Sequence, residues 1–121
     1  MARQRRFIDA NVYEESKKRI HHIFDTHDHV NVAFSGGKDS TTVLNLVREV
    51  SNERGIDTVD SHHRDEEFNP APILDNIKYY YDQDWVNGVW YCVPRSSTMF
   101  VLGFNKEVIK WDPSGKRKWV R

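Results

Sequence analysis

The chain has 121 residues, room for one small domain, with 18 basic and 18 acidic side chains and no formal net charge. That balance argues against a broad nucleic-acid or membrane surface, and no apolar run is long enough to cross a membrane or to form a signal-peptide core. The single cysteine, Cys92, excludes an internal disulfide and a Cys-rich zinc or iron–sulfur site, and fits a reducing, cytoplasmic setting.

Residues 1–9 form a basic arm with no apolar segment behind it, which predicts a solvated extension. Ala10 to Asp25 reads as a helix, capped by Asp9 or Asn11, with Glu14 and Glu15 suited to its first turn. Val12, Ile20, Ile23 and Phe24 would share its apolar face, with Lys17, Lys18 and Arg19 in water. Val30 to Phe34 is a short apolar run, as in a strand buried on both faces. Thr41 to Arg54 carries Val43, Leu44, Val47 and Val50 at helical spacing, and Gly55 stands at a helix-ending position. The next strand should lie within Ile56 to Glu67, yet it has too few apolar residues to sit between two helical layers. Asn69-Pro70 reads as a helix start, and Ile73, Leu74, Ile77 and Tyr80 or Tyr81 as that helix's inner face. Val86 to Val93 reads as a third strand that buries Cys92 as an inert thiol and stops at Pro94. Met99 to Phe104 is apolar without a clear period, and residues 105–121 form a basic tail in which Trp111 and Trp119 can fold back on the body. Strands alternating with helices predict an α/β fold with a small parallel sheet of about three strands in a three-layer α/β/α arrangement.

The stretch Ser35-Gly-Gly-Lys-Asp-Ser40 joins the first strand to its helix. It is not a Walker A loop, because Val32 stands where the first Gly should be and Asp39 where the metal-binding hydroxyl should be. Its chemistry still suits an anion. Gly36 and Gly37 permit close approach, the N–H groups of Asp39 and Ser40 converge at a helix N-terminus, and Ser35, Ser40 and Lys38 add further donors. Asp39 would either brace the loop through backbone N–H groups or hold a magnesium ion beside phosphates.

This turn after an apolar strand resembles the PP-loop of the adenine-nucleotide alpha-hydrolase-like superfamily. Asp65-Glu-Glu-Phe-Asn-Pro70, then "WYCVPR" and "KWDPSGKRKWVR", resemble its phosphoadenosine phosphosulfate (PAPS) reductase branch, in a short form akin to phage-borne members. The resemblance runs from about Arg19 to Arg121 and implies a truncated version of that fold. It implies a nucleotide, ATP or PAPS, whose phosphates lie against Ser35, Gly36, Gly37, Lys38, Asp39 and Ser40, with adenosine beside Ala33 and Phe34. Asp39, Asp65 and Glu67 would hold magnesium, Lys38, Asp39 and Asp65 would carry the catalytic work, and Arg95 would reach a sulfate or phosphate. The cysteine motif with which the reductases receive the sulfo group is absent from the tail. The strands missing beside the first strand would leave its edge open, which predicts a homo-oligomer or a covering partner subunit.

The remaining polar clusters read as surface features. His62-His63 and His27-x-His29 lack Cys partners or helical spacing, and solvated or capping roles suit them better than metal binding. Asp65-Glu66-Glu67 suits a magnesium cluster or a solvated acidic turn equally well. Three functions fit: an enzyme acting at the phosphate or sulfate of an adenine nucleotide, a non-catalytic nucleotide-binding module, or the nucleotide domain of an RNA-modifying enzyme whose basic tail binds RNA.

Overall fold

The computed structural model describes residues 7–92, 97–99, 107–109, 111 and 114. Helix α1 runs Val12–Thr26, strand β1 Asn31–Ala33, helix α2 Lys38–Glu53, strand β2 Val59–Asp65, helix α3 Ala71–Tyr81 and strand β3 Val86–Cys92. Strands β4 (Ser97–Met99) and β5 (Glu107–Ile109) pair antiparallel as a separate ribbon. The main sheet is parallel throughout, in the order β1-β2-β3. It is the small α/β arrangement expected from the alternation of strands and helices.

Right-handed crossovers between strands laid down in one direction put α2 and α3 on the same face of the sheet. The core has that form. Val32 and Val59 of the sheet pack with Leu44 and Val47 of α2 and Ile77 of α3, joined by Phe34. Ile20 and Phe24 bring α1 onto the same cluster. Phe34, only 1% exposed, lies edge-on to Tyr80 and tilted against Tyr81, with ring centroids 5.4 and 6.1 Å away. The outer layer expected on the second sheet face is not among the described residues.

One-sided covering explains the polar second strand. Along β2, Val59, Ser61, His63 and Asp65 are buried, while Asp60, His62 and Arg64 are half-buried or exposed. A strand alternates in this way when only one of its faces is packed.

The helix faces differ from expectation in places. Asn11 does cap α1, accepting the Glu14 N–H at 2.9 Å. However, Val12 and Ile23 of α1 and Val43 of α2 remain exposed, because the apolar seam each helix offers the sheet is narrower than its sequence stripe. Lys17 faces α2 rather than water: its ammonium donates to Glu49 at 2.9 Å and to Glu53. Tyr13 donates to Glu49, His21 lies 3.0 Å from Glu53, and Arg54 reaches Asp25 at 2.7 Å. In α3 the cap position is Pro70, so the helix starts one residue later than Asn69-Pro70 suggests, and the Asn69 amide sits near His63 instead. Cys92, the last residue of β3, is exposed rather than buried, because β3 is an edge strand buried only at Val86 and half-buried at Trp90.

The polar seam between α1 and α2 makes stability depend on acid. Hydrogen bonds from Tyr13 and then Lys17 hold the Glu49 carboxyl below its ordinary value, and those from Lys17 and then His21 do the same for Glu53. A lowered folded-state value stabilises the fold above the unfolded-state value and loses that effect as pH falls through the folded one. The melting temperature should therefore drop as pH falls below the ordinary carboxylate value of 4.5. Thermal unfolding followed by circular dichroism from about pH 6 to pH 3 measures it. The drop should be shallower in Lys17→Met.

Candidate functional site

The Ser35–Ser40 turn leaves the carboxyl end of β1 and opens α2, the position where parallel α/β sheets receive ligands. Gly36 sets its shape, with φ at +78°, in the left-handed region. A Cβ on Gly36 would stand 2.7 Å from Ile77 Cγ1 and 2.8 Å from the Ile73 carbonyl oxygen, so the turn lies directly on α3. Asn76 of α3 locks the contact, donating to Gly36 O at 2.9 Å and to Thr41 Oγ1 at 3.0 Å. One amide side chain thus ties the loop to the first turn of α2. Asn76 carries no motif signal in the sequence; only its spacing, one residue before Ile77 on the loop-facing side of α3, hints at it.

The turn presents donors outward. Gly37 caps α2 without a side-chain hydrogen bond, and the first helical bond runs from Thr41 N–H to Gly37 O at 3.0 Å. The N–H groups of Lys38, Asp39 and Ser40 therefore lie ahead of the helical ladder, at its positive end. Ser35 Oγ and Ser40 Oγ are 2.9 Å apart, and the Ser40 hydroxyl donates back to Gly37 O at 3.1 Å. Lys38 and Asp39 form an ion pair with each other at 2.5 Å, their side chains 90% and 88% exposed. Asp39 thus does not brace the loop through backbone N–H groups; Asn76 does the bracing.

Beside the turn, a cleft of about 360 Å³ opens between the ends of β1 and β2. Ala33, Phe34 and Ser35 form one side, and His62, His63, Arg64, Glu66 and Asn69 the other. The Phe34 ring is in the core, its N–H donates to His62 O at 2.8 Å, and its carbonyl accepts from His63 Nδ1 at 2.9 Å. A carbonyl partner fixes the proton on His63 Nδ1 and leaves Nε2 as an acceptor on the Asn69 side, 3.4 Å from that amide. His63 and His62 point to opposite faces, as the strand alternation predicts. A cleft of about 400 Å³ also opens at the amino ends of the strands, between Phe24, His27, His29, Arg54 and Asp60.

The carboxylates expected to carry metal are placed differently from one another. Asp65, 3% exposed, accepts the Trp90 indole N–H on Oδ2 at 2.9 Å and the Glu67 N–H on Oδ1 at 2.9 Å. Glu67, also 3% exposed, accepts the Trp111 N–H at 2.6 Å, and the Trp111 indole donates to Asp65 O at 3.2 Å. Both acids thus organise the junction of β2, β3 and the segment bearing Trp111, while Asp39 stands in solvent. Among the described residues no group of three or more His, Cys, Asp or Glu side chains gathers into a metal cage. Arg95, Trp119 and the basic Lys116–Lys118 stretch lie outside the described residues.

Replacing Gly36 by Ala adds a side chain where α3 already is, in a backbone conformation that disfavours it. The variant should lose about 2–4 kcal/mol of stability. Urea unfolding of both proteins reads the loss, and an unchanged midpoint would mean that the turn is not pressed on α3.

No protein-family model, curated protein or solved structure matches this chain. The functional reading therefore rests on the geometry of the turn and its cleft.

Proposed function

We propose that the chain is a PP-loop protein of PAPS-reductase type that binds an adenine nucleotide, ATP or PAPS, and acts at its phosphate or sulfate group. The observation that carries this is the uncapped start of α2. It exposes consecutive N–H donors and two hydroxyls on a turn held rigid by Gly36 and Asn76. An anionic ligand oxygen supplies what the cap lacks. The adjoining cleft lies where a nucleoside attached to those phosphates would extend, with Ala33 and the His63–Asn69 pair along it. Lys38 would leave Asp39 to meet the phosphates, adding a full charge to the loop dipoles. Magnesium enters as the nucleotide's own counter-ion, with Asp39 as the exposed carboxylate of the loop.

A second reading, a non-catalytic nucleotide-binding module or subunit, draws on a specific observation. Asp65 and Glu67 are buried in hydrogen bonds to indole and backbone N–H groups, which leaves them no exposed role in chemistry.

Titration calorimetry with ATP, AMP and PAPS in magnesium, followed by assay of the same samples for AMP, pyrophosphate and adenosine bisphosphate, separates the readings. Binding with product that disappears in Asp39→Ala supports the enzyme, and binding without product supports the module. Asn76→Ala should weaken nucleotide binding about tenfold, since it frees the loop from α3. No binding of any of the three ligands would overturn both readings.

A further inference from the structure

The sequence resemblance implies a base beside Ala33 and Phe34. In the folded chain the Phe34 main chain is already engaged. Its N–H donates to His62 O at 2.8 Å, and its carbonyl accepts from His63 Nδ1 at 2.9 Å. The Phe34 ring is in the core, and Ala33 adds only a methyl side chain. Reading the edge of a base in this cleft therefore falls to the side chains of the opposite wall, where His63 and Asn69 stand together.

His63 is fixed in place before any ligand arrives. It is 2% exposed, on the buried face of β2 between Ser61 and Asp65. The Trp90 ring meets it edge-on with centroids 4.9 Å apart, and Trp90 is itself tied down by donating to Asp65 at 2.9 Å. The Phe34 carbonyl holds the other side of the imidazole and can only accept, so Nδ1 carries the proton and Nε2 presents a lone pair. The Asn69 amide N–H donates to that lone pair at 3.4 Å, well beyond the ordinary distance of about 2.9–3.0 Å. Buried polar atoms ordinarily find closer partners. With its Nδ2 turned to the imidazole, Asn69 keeps Oδ1 as a second acceptor on the same wall.

We propose that His63 and Asn69 select the base, and that they select a purine with an amino group at position 6. The proposal rests on the reading of this cleft as the nucleoside pocket. An exocyclic amine carries two N–H groups. One donates to His63 Nε2 and the other to Asn69 Oδ1, so a single nitrogen satisfies both acceptors. A 6-oxo purine sets a carbonyl oxygen against the same two acceptors and leaves the buried imidazole lone pair without a close donor. Sites built around a hydrogen bond reject the analogue that lacks it more strongly than apolar pockets reject a misfit. The Ser35–Ser40 turn meets every nucleoside triphosphate alike, so discrimination between bases belongs to this pair. His63 needs no rearrangement to act, because Phe34 and Trp90 already set its tautomer and its angle.

Titration calorimetry with ATP and with ITP, which differs only in carrying an oxo group at position 6, reads the selection. ATP should bind about ten- to hundredfold more tightly. In His63→Asn the ratio should fall to about one, since the Asn amide N–H can replace Nδ1 on the Phe34 carbonyl but nothing replaces Nε2. His63→Gln, which can place its amide oxygen where Nε2 stood, should recover part of the ratio. Asn69→Ala, at a half-buried position, should lower it part of the way. Nitrogen-15 NMR of the His63 imidazole in the unmodified protein gives a reading that no variant's folding can disturb. At about pH 8, Nε2 should be the unprotonated nitrogen, and ATP but not ITP should move its resonance upfield, as accepting a hydrogen bond does. Equal binding of ATP and ITP by the unmodified protein overturns the proposal and leaves the nucleotide reading standing. So does a ratio that survives in folded His63→Asn, or an Nε2 that carries the proton. Binding of neither triphosphate removes the proposal and, with no binding of PAPS, the nucleotide reading as well.

Discussion

Everything in this molecule that concerns a ligand depends on one contact, the backbone of Gly36 pressed onto α3. The left-handed turn there allows β1 to end and α2 to begin within a few residues. The absence of a side chain lets Ile73 and Ile77 come up against it. Asn76 then fixes the loop's carbonyl and the first turn of α2 together. Because α3 follows β2 in the chain, the shape of the Ser35–Ser40 loop is set by a helix some forty residues away. Phe34 extends the same contact downward, since its ring fills the space between β1 and the Tyr80–Tyr81 end of α3.

Much of this order is legible from residue patterns, and the physical reasons differ by element. The apolar run before Ser35 and the periodic Leu44, Val47 and Val50 announce β1 and α2, because burial demands them there. The polar β2 looks anomalous only on the assumption of helices above and below it; with one covered face its alternation is ordinary. Less legible is which side of an amphipathic helix wins. Lys17 is a solvent residue by type, yet two carboxylates on α2 draw it inward. Asp65 and Glu67 show the opposite limit. Their acidic run suits a metal site in sequence, and their positions become structural only through Trp90 and Trp111, whose approach no local pattern encodes.

The two clefts and the open face follow from the same economy of layers. Among the described residues, helices gathered on one side of a three-stranded sheet protect that side and leave both strand ends and the far face uncovered. At the carboxyl end the accessible surface is rich in donors; on the far face Asp60 and Asn87 lie toward the amino ends and the Arg64–Glu66 ion pair toward the carboxyl ends. Trp111 stands at the boundary, hydrogen-bonded to the acids that close β2 beside the cleft.

The strand order also bears on how the chain reaches this state. Strands β1, β2 and β3 lie in the sheet in the order in which they occur in the sequence, each beside its predecessor. Every contact in the main sheet is thus made between segments separated by a single helix. Such a topology lets the sheet assemble one strand at a time, in chain order, during synthesis. The contact of Trp111 with Asp65 spans the longest stretch and would form last. The rim of the ligand cleft would therefore be completed only after the sheet that supports it exists.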